Sequence, residues 1–204
     1  MIEEVTRATL QHLVIVLTAV TIATAVGVPL GIACVQNTRW GRVLLKLIDI
    51  VQTIPSLALF GFLIPLPFIG GIGVRTAIVA LILYSLLPIV RNTVIGITGI
   101  DRLVREAATV MGMTDRQRLM TVELPLAMPS IVAGLRIATV TAIGVATIAA
   151  AVGGGGLGTL IFRGVAMVDA KRILAGALPA AGLALLADLL FGHIERLVAR
   201  RYGG

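Results

Sequence analysis

Three ionisable residues stand inside long apolar runs: Asp49, Arg136 and Asp188. Such groups are costly in hydrocarbon and persist where they pair or line a pathway. Asp49 lies three residues past Lys46, Arg136 about seven residues into its run, and Asp188 eight residues before Arg196. At about 1.5 Å of rise per helical residue, all three fall in the same half of a membrane. Arg136 is therefore expected to form an ion pair with one of the two aspartates. Snorkelling to the interface is the competing reading. A second group is polar and kinked: Gln52, Thr53, Pro55 and Ser56 in one run, and Tyr84 and Pro88 in the next. Pro55 has no N–H and breaks or bends a helix. Irregular backbone at membrane depth survives only where protein or a water-filled cavity covers it. These six residues are candidates for a pathway or gate, against the plain alternative of ordinary proline-bearing membrane helices. A third group is glycine: Gly153, Gly154, Gly155, Gly156 and Gly158. No GxxxxGK[ST] pattern accompanies it, so this is not a phosphate loop. ATP hydrolysis by that route is not expected of this chain, nor is any catalytic residue, cofactor or metal site.

These residues need elements that hold them in a bilayer. Of 204 residues, 58% are hydrophobic and only 13% charged, and the mean hydropathy is +1.04. A soluble domain is about half apolar and about a quarter charged. A net charge of +7 could attract nucleic acid. The charges are instead scattered in short clusters between apolar runs, so no nucleic-acid partner is expected. A membrane helix takes roughly 20 mainly apolar residues. Five such stretches are read at about 10–35, 43–66, 74–94, 130–152 and 173–198. The lysines and arginines divide unevenly between the two sets of loops. Arg39, Arg42, Lys46, Arg91, Arg102, Arg105, Arg116, Arg118, Arg136, Arg196, Arg200 and Arg201 share one side. Arg7, Arg75, Arg163, Lys171 and Arg172 share the other. The richer side is expected to be cytoplasmic, with the N-terminus outside and the C-terminus inside. The lone Cys34 follows Gly-Ile-Ala, a faint lipoprotein-like pattern. Glu3 and Glu4 replace the basic region that a signal peptide needs, so Cys34 is read as a small residue in a packed helix.

The polar interval is 96–128. Ile100, Leu103, Val104, Ala107 and Met111 recur at helical spacing and predict a short amphipathic helix. Gly112 is placed to end it. Thr114 and Gln117 have capping-box spacing and start a second helix, closed by Leu124-Pro125. Ala107 and Ala108 would leave a shallow spot for another surface, with Glu106 as a charged anchor. A solvated loop lying on the membrane is the physical alternative.

Glu106-Ala107-Ala108, three residues, Gly112, nine residues, then Val122-x-Leu124-Pro125 resembles the EAA loop of binding-protein-dependent ABC importer permeases, with Val122 in place of Ile. In that family the segment is the coupling helix that docks on the ATPase. The resemblance implies that Glu106, Ala107, Ala108, Gly112 and Met113 make this contact. Asp49–Leu59, Val122–Ala127 and Gly155–Gly164 look like the osmoprotectant branch, which takes up glycine betaine, carnitine, choline and similar quaternary amines. The methionine importers share a similar glycine-rich loop, so another cargo stays open, as does a stand-alone secondary transporter or channel. The resemblance implies an all-α, five-helix permease of the type I importer kind, one membrane domain over 1–204 in the inner (cytoplasmic) membrane. Its implied partners are an ATP-binding subunit, a second permease subunit (same or paralogous), a separate extracytoplasmic substrate-binding protein and the lipid bilayer. Aromatics are only 4% of the chain, so an aromatic cage for a cation within one copy is not expected.

Overall fold

The computed structural model describes residues 1–67 and 69–202, apart from the side chain of Thr38. Phe68, Gly203 and Gly204 lie outside the described residues. The chain is helical, with no strand among the described residues.

α1 (Ile2–Gln36) opens with Glu3 and Glu4 in its first turn, where carboxylates complement the helix dipole. At 35 residues it is longer than a hydrocarbon core requires. Asn37 ends it and caps α2 (Thr38–Thr53), accepting from the Trp40 N–H at 3.3 Å. α2 stops at Ile54-Pro55, and α3 (Ser56–Leu63) leaves at 102° to it. The run expected at 43–66 is thus a broken pair, as the missing Pro55 donor requires. α4 (Val74–Thr98) carries Pro88 within it.

After α4 the chain makes two short helices, α5 (Arg102–Val110) and α6 (Asp115–Arg118). A π-helical turn, Leu119–Glu123, leads directly into α7 (Leu124–Ile148). Leu124-Pro125 therefore does not close the segment, contrary to the sequence expectation. The Leu124 N–H bonds back to the Leu119 carbonyl, and this wider turn sets Pro125 in the first turn of α7. The π turn widens the hydrogen-bond ladder just ahead of a residue that has no N–H to give, so the helix passes Pro125 without ending. The helical run reaches from Asp115 to Val152, ending in a 3₁₀ turn at Ala149–Val152. A short α8 (Leu157–Ala166) and the long α9 (Ala170–Tyr202) complete the chain.

Among the described residues four helices are long and apolar enough to cross a membrane, and five if the α2–α3 pair is one span. α4 and α7 lie centrally, with α1 and α2 against α4 and with α8 and α9 against α7. Their seam is filled by Val16, Phe60, Leu81, Ala142 and Ile143. Cys34 is buried on α1 against Ile48 and Val90. α9 is mostly exposed along a leucine face that includes Leu178, Leu185 and Leu189.

Candidate functional site

The α5–α6 module is the most polar part of the fold. Asp101 caps α5 by accepting from the Leu103 N–H at 2.9 Å. Gly112 ends it with φ +79°. The Met113 N–H reaches the Ala108 carbonyl at 3.2 Å and the Gly112 N–H reaches Thr109 at 3.0 Å. That is a Schellman ending, which needs a left-handed residue at Gly112. Thr114 and Gln117 then make a reciprocal capping box for α6.

Leu103, Ala107, Val110 and Met111 share one exposed face of α5, with Val110 87% exposed. The apolar stripe therefore points away from the chain. Ala108 does not share it, contrary to the sequence expectation of a surface made by both alanines. Adjacent helical residues point about 100° apart, and Ala108 is turned inward at 1% exposure. Glu106 is exposed and bound to Arg102 of its own helix at 2.6 Å. Met113 is half-buried beyond the turn.

The module is tied down by a residue the sequence reading did not single out. Glu123, in the π turn, is 7% exposed. It accepts from Arg118 Nε at 3.1 Å and faces Arg105 Nε at 3.5 Å. Arg105 also donates to the Ile97 carbonyl at the end of α4. The available signal was a single carboxylate at the boundary between a polar and an apolar run.

The pathway candidates come together as a reciprocal bond between α2 and α4. Within a helix the Tyr84 carbonyl would accept from residue 88, which is proline and has no N–H. Gln52 Nε2 donates to that carbonyl instead, at 2.7 Å. The Tyr84 hydroxyl donates in turn to the Ile54 carbonyl at the Pro55 break. The missing N–H of Pro88 and the helix break at Ile54-Pro55 each leave a carbonyl that a side chain of the other helix satisfies. Tyr84 is buried, so its ring and hydroxyl are engaged rather than free to face a cargo. Thr53 and Pro55 are exposed and Ser56 is half-buried beside them.

Arg136 pairs with Asp188 through two bonds, Nε to Oδ1 at 2.6 Å and Nη2 to Oδ2 at 2.8 Å. Glu195, one helical stretch further along α9, approaches Arg136 at 3.4 Å. Gly192 lies beside the guanidinium, and a Cβ there would sit 3.2 Å from Nη1. Asp49 is bound by Arg91 of α4 at 2.8 Å, not by Arg136. Sequence separation hides this partner, because α2 returns alongside the far end of α4.

At the opposite end, the glycine-rich loop folds over α1. Gly156 donates to Gln11 Oε1 at 3.1 Å. A Cβ on Gly156 would lie 3.0 Å from Nδ1 of the buried His12. Gly153, Gly155 and Gly156 all have positive φ, while Gly158 abuts the Thr147 carbonyl with no room for a Cβ. His12 itself contacts the Ile143 carbonyl through Nε2 at 3.1 Å. Among the described residues no group of three or more His, Cys, Asp or Glu could hold a metal ion.

A helical core with candidate membrane spans, one of them broken, and an exposed amphipathic module defines a helical membrane protein. The chain belongs to the family described as binding-protein-dependent transport system inner membrane component, which matches residues 23–200. It is 46% identical to the osmoprotectant import permease protein OsmW of Salmonella typhimurium strain LT2, over 92% of this chain and 88% of that one. It is 43% identical to the glycine betaine/carnitine/choline transport system permease protein OpuCB of Bacillus subtilis strain 168, over 92% and 85%. The choline transport system permease protein OpuBB of the same strain is 42% identical, over 95% and 88%. Among solved structures, a chain of the MetNI methionine ABC transporter, in inward-facing conformations, superposes with a TM-score of 0.89 over 97% of each chain. At 24% identity that likeness speaks for the fold alone.

Proposed function

We propose that this chain is the membrane-spanning subunit of an ATP-driven importer for osmoprotectants such as glycine betaine, carnitine or choline. The observation that carries this reading is the near full-length similarity to permeases named for those cargoes. The helices form five spans, counting α2–α3 as one, in a single membrane domain with the N-terminus outside and the C-terminus inside. The lysine and arginine distribution supports this orientation. It places α5 and α6 in the cytoplasm, and the glycine-rich loop and α8 outside.

ATP is hydrolysed on a separate subunit that grips the exposed face of α5. Glu106, Ala107 and Met113 flank that contact, and Gly112 holds its shape. A second permease subunit, the same or paralogous, encloses the pathway with this one. The exposed Thr53, Pro55 and half-buried Ser56 at the α2–α3 break lie along it. Gln52, Tyr84 and Pro88 hold that break to α4. The Arg136–Asp188 and Arg91–Asp49 pairs fix helix positions in the cytoplasmic half. A substrate-binding protein delivers cargo to the outer loops and supplies most of the selectivity, because Tyr84 is engaged internally and Trp40 stands exposed at the far end of α2.

The test is uptake by the reconstituted four-component complex with labelled glycine betaine, choline, carnitine and methionine in competition. Competition among the quaternary amines with methionine inert is the expected outcome. Saturable methionine uptake would reassign the cargo, and cargo flux through this chain alone would overturn the importer reading.

A further inference from the structure

Glu123 differs from the other carboxylates around it. Its side chain is 9% exposed, whereas Glu106 is 51% and Asp115 is 92% exposed. It is the last residue of the π turn and directly precedes α7, the helix at the centre of the membrane domain. One of its oxygens, Oε1, is shared between Arg118 of α6 and Arg105 of α5. Buried Arg105 Nε has no hydrogen-bond partner and is held there by the charge of Glu123. Arg118 reaches on to Thr109 Oγ1 of α5 at 3.4 Å and to Asp115 at 3.0 Å. Arg105 reaches on to the last turn of α4. The Glu123 carboxylate thus fastens both small helices to the base of α7, while Arg105 ties α5 to the end of α4.

Apolar contacts alone would not do this. Apart from Ala108, α5 has no buried residue, and its stripe faces outward. A groove of about 640 Å³ lies between the module and the end of α1, lined in part by Ile32, Val35, Arg105 and Glu123. With so little packing, the orientation of α5 relative to α7 depends on charge. Withdrawal of the Glu123 carboxylate from water strengthens such charge-assisted bonds and makes loss of one partner costly.

We propose that Glu123 is a positioning residue for energy coupling: its carboxylate locks α5 and α6 to the base of α7, so that displacement of the module moves the membrane helices. This rests on the reading of α5 as the ATPase contact. The exposed face of α5 does not involve Glu123, so binding of the ATPase and transmission of its motion are separable.

The experiment uses the full complex in liposomes and reads ATP hydrolysed per cargo transported, together with ATPase co-purification. Glu123→Gln keeps the shape and removes the charge. The expected result is normal ATPase retention with transport per ATP falling on the order of tenfold, about 1.4 kcal/mol of coupling. Glu123→Asp should recover part of the loss. Arg105→Gln breaks the same link from α5 and should uncouple similarly; it decides the matter if Glu123→Gln does not accumulate. Wild-type stoichiometry in either variant, or loss of the ATPase from Glu123→Gln, overturns the proposal. Val110→Asp, at the exposed face, separates the underlying reading: it should release the ATPase. If it does not, the assignment of α5 as the contact fails, whatever Glu123 does.

Discussion

The bond between α2 and α4 yields a prediction with an internal control. Gln52→Leu keeps side-chain size but removes the amide that donates to the Tyr84 carbonyl. Tyr84 is buried, and Pro88 supplies no N–H to that carbonyl. The substitution therefore strands an acceptor rather than merely deleting a bond. Stranding a buried polar group costs about 1–3 kcal/mol, against about 1 kcal/mol for a bond lost symmetrically. For a chain of this size about 2 kcal/mol corresponds to roughly 4–8 °C in the melting temperature. Pro88→Ala restores the N–H at 88, which lies one helical turn beyond Tyr84. In that background the carbonyl has a new donor, and Gln52→Leu should cost about 1 kcal/mol less. The assay is a double-mutant cycle on detergent-purified protein, at a fixed scan rate and with ligand-free samples. Equal costs of Gln52→Leu in both backgrounds would refute the claim that Gln52 compensates for Pro88.

Further outcomes follow from local geometry. Gly158→Ala pushes a methyl group into the Thr147 carbonyl and should destabilise the chain by about 1–3 kcal/mol or more, seen as lost accumulation in the membrane. Gly112→Ala meets open space, so its cost is conformational alone, about 1–2 kcal/mol at φ +79°; ATPase co-purification should weaken while insertion is unchanged. Val168 sits at φ 53° and is 91% exposed in the turn between α8 and α9. Val168→Gly should stabilise that turn by about 1 kcal/mol, measured as a rise in melting temperature. Reversing Arg136 and Asp188 together should restore transport that each single reversal abolishes, and no rescue would argue against that pair as a structural tie.

Much of the helical layout was legible because its signals are local. Apolar runs, Pro55, Gly112 and the Thr114–Gln117 spacing each act within a few residues of themselves, and the chain breaks, turns and restarts where they say. The pairing of Arg136 with Asp188 was half legible, since matched depth limits the choice of partner but does not fix it. Asp49 with Arg91 was not, because 42 residues separate them and only the return of α2 along α4 brings them together. The role of Glu123 was not legible, because a lone glutamate beside a Leu-Pro pair gives no sign of being buried. Leu124-Pro125 misled for a related reason: a proline reads as a stop, yet the π turn before it lets one helix run on into the membrane. The inward face of Ala108 depends on tertiary packing that the repeating motif does not encode.

The central claim is that α5 meets the ATPase on the cytoplasmic side. Cys34, the single native cysteine, is buried, so an introduced thiol reports its own site. Cysteine placed at Val110, at the exposed tip of α5, should cross-link to the co-expressed ATPase within the assembled complex, with a yield that changes on adding ATP. Cysteine at Val168, at the other end of the molecule, should not. Capture of the ATPase at Val168 and not at Val110 would contradict both the orientation and the coupling assignment.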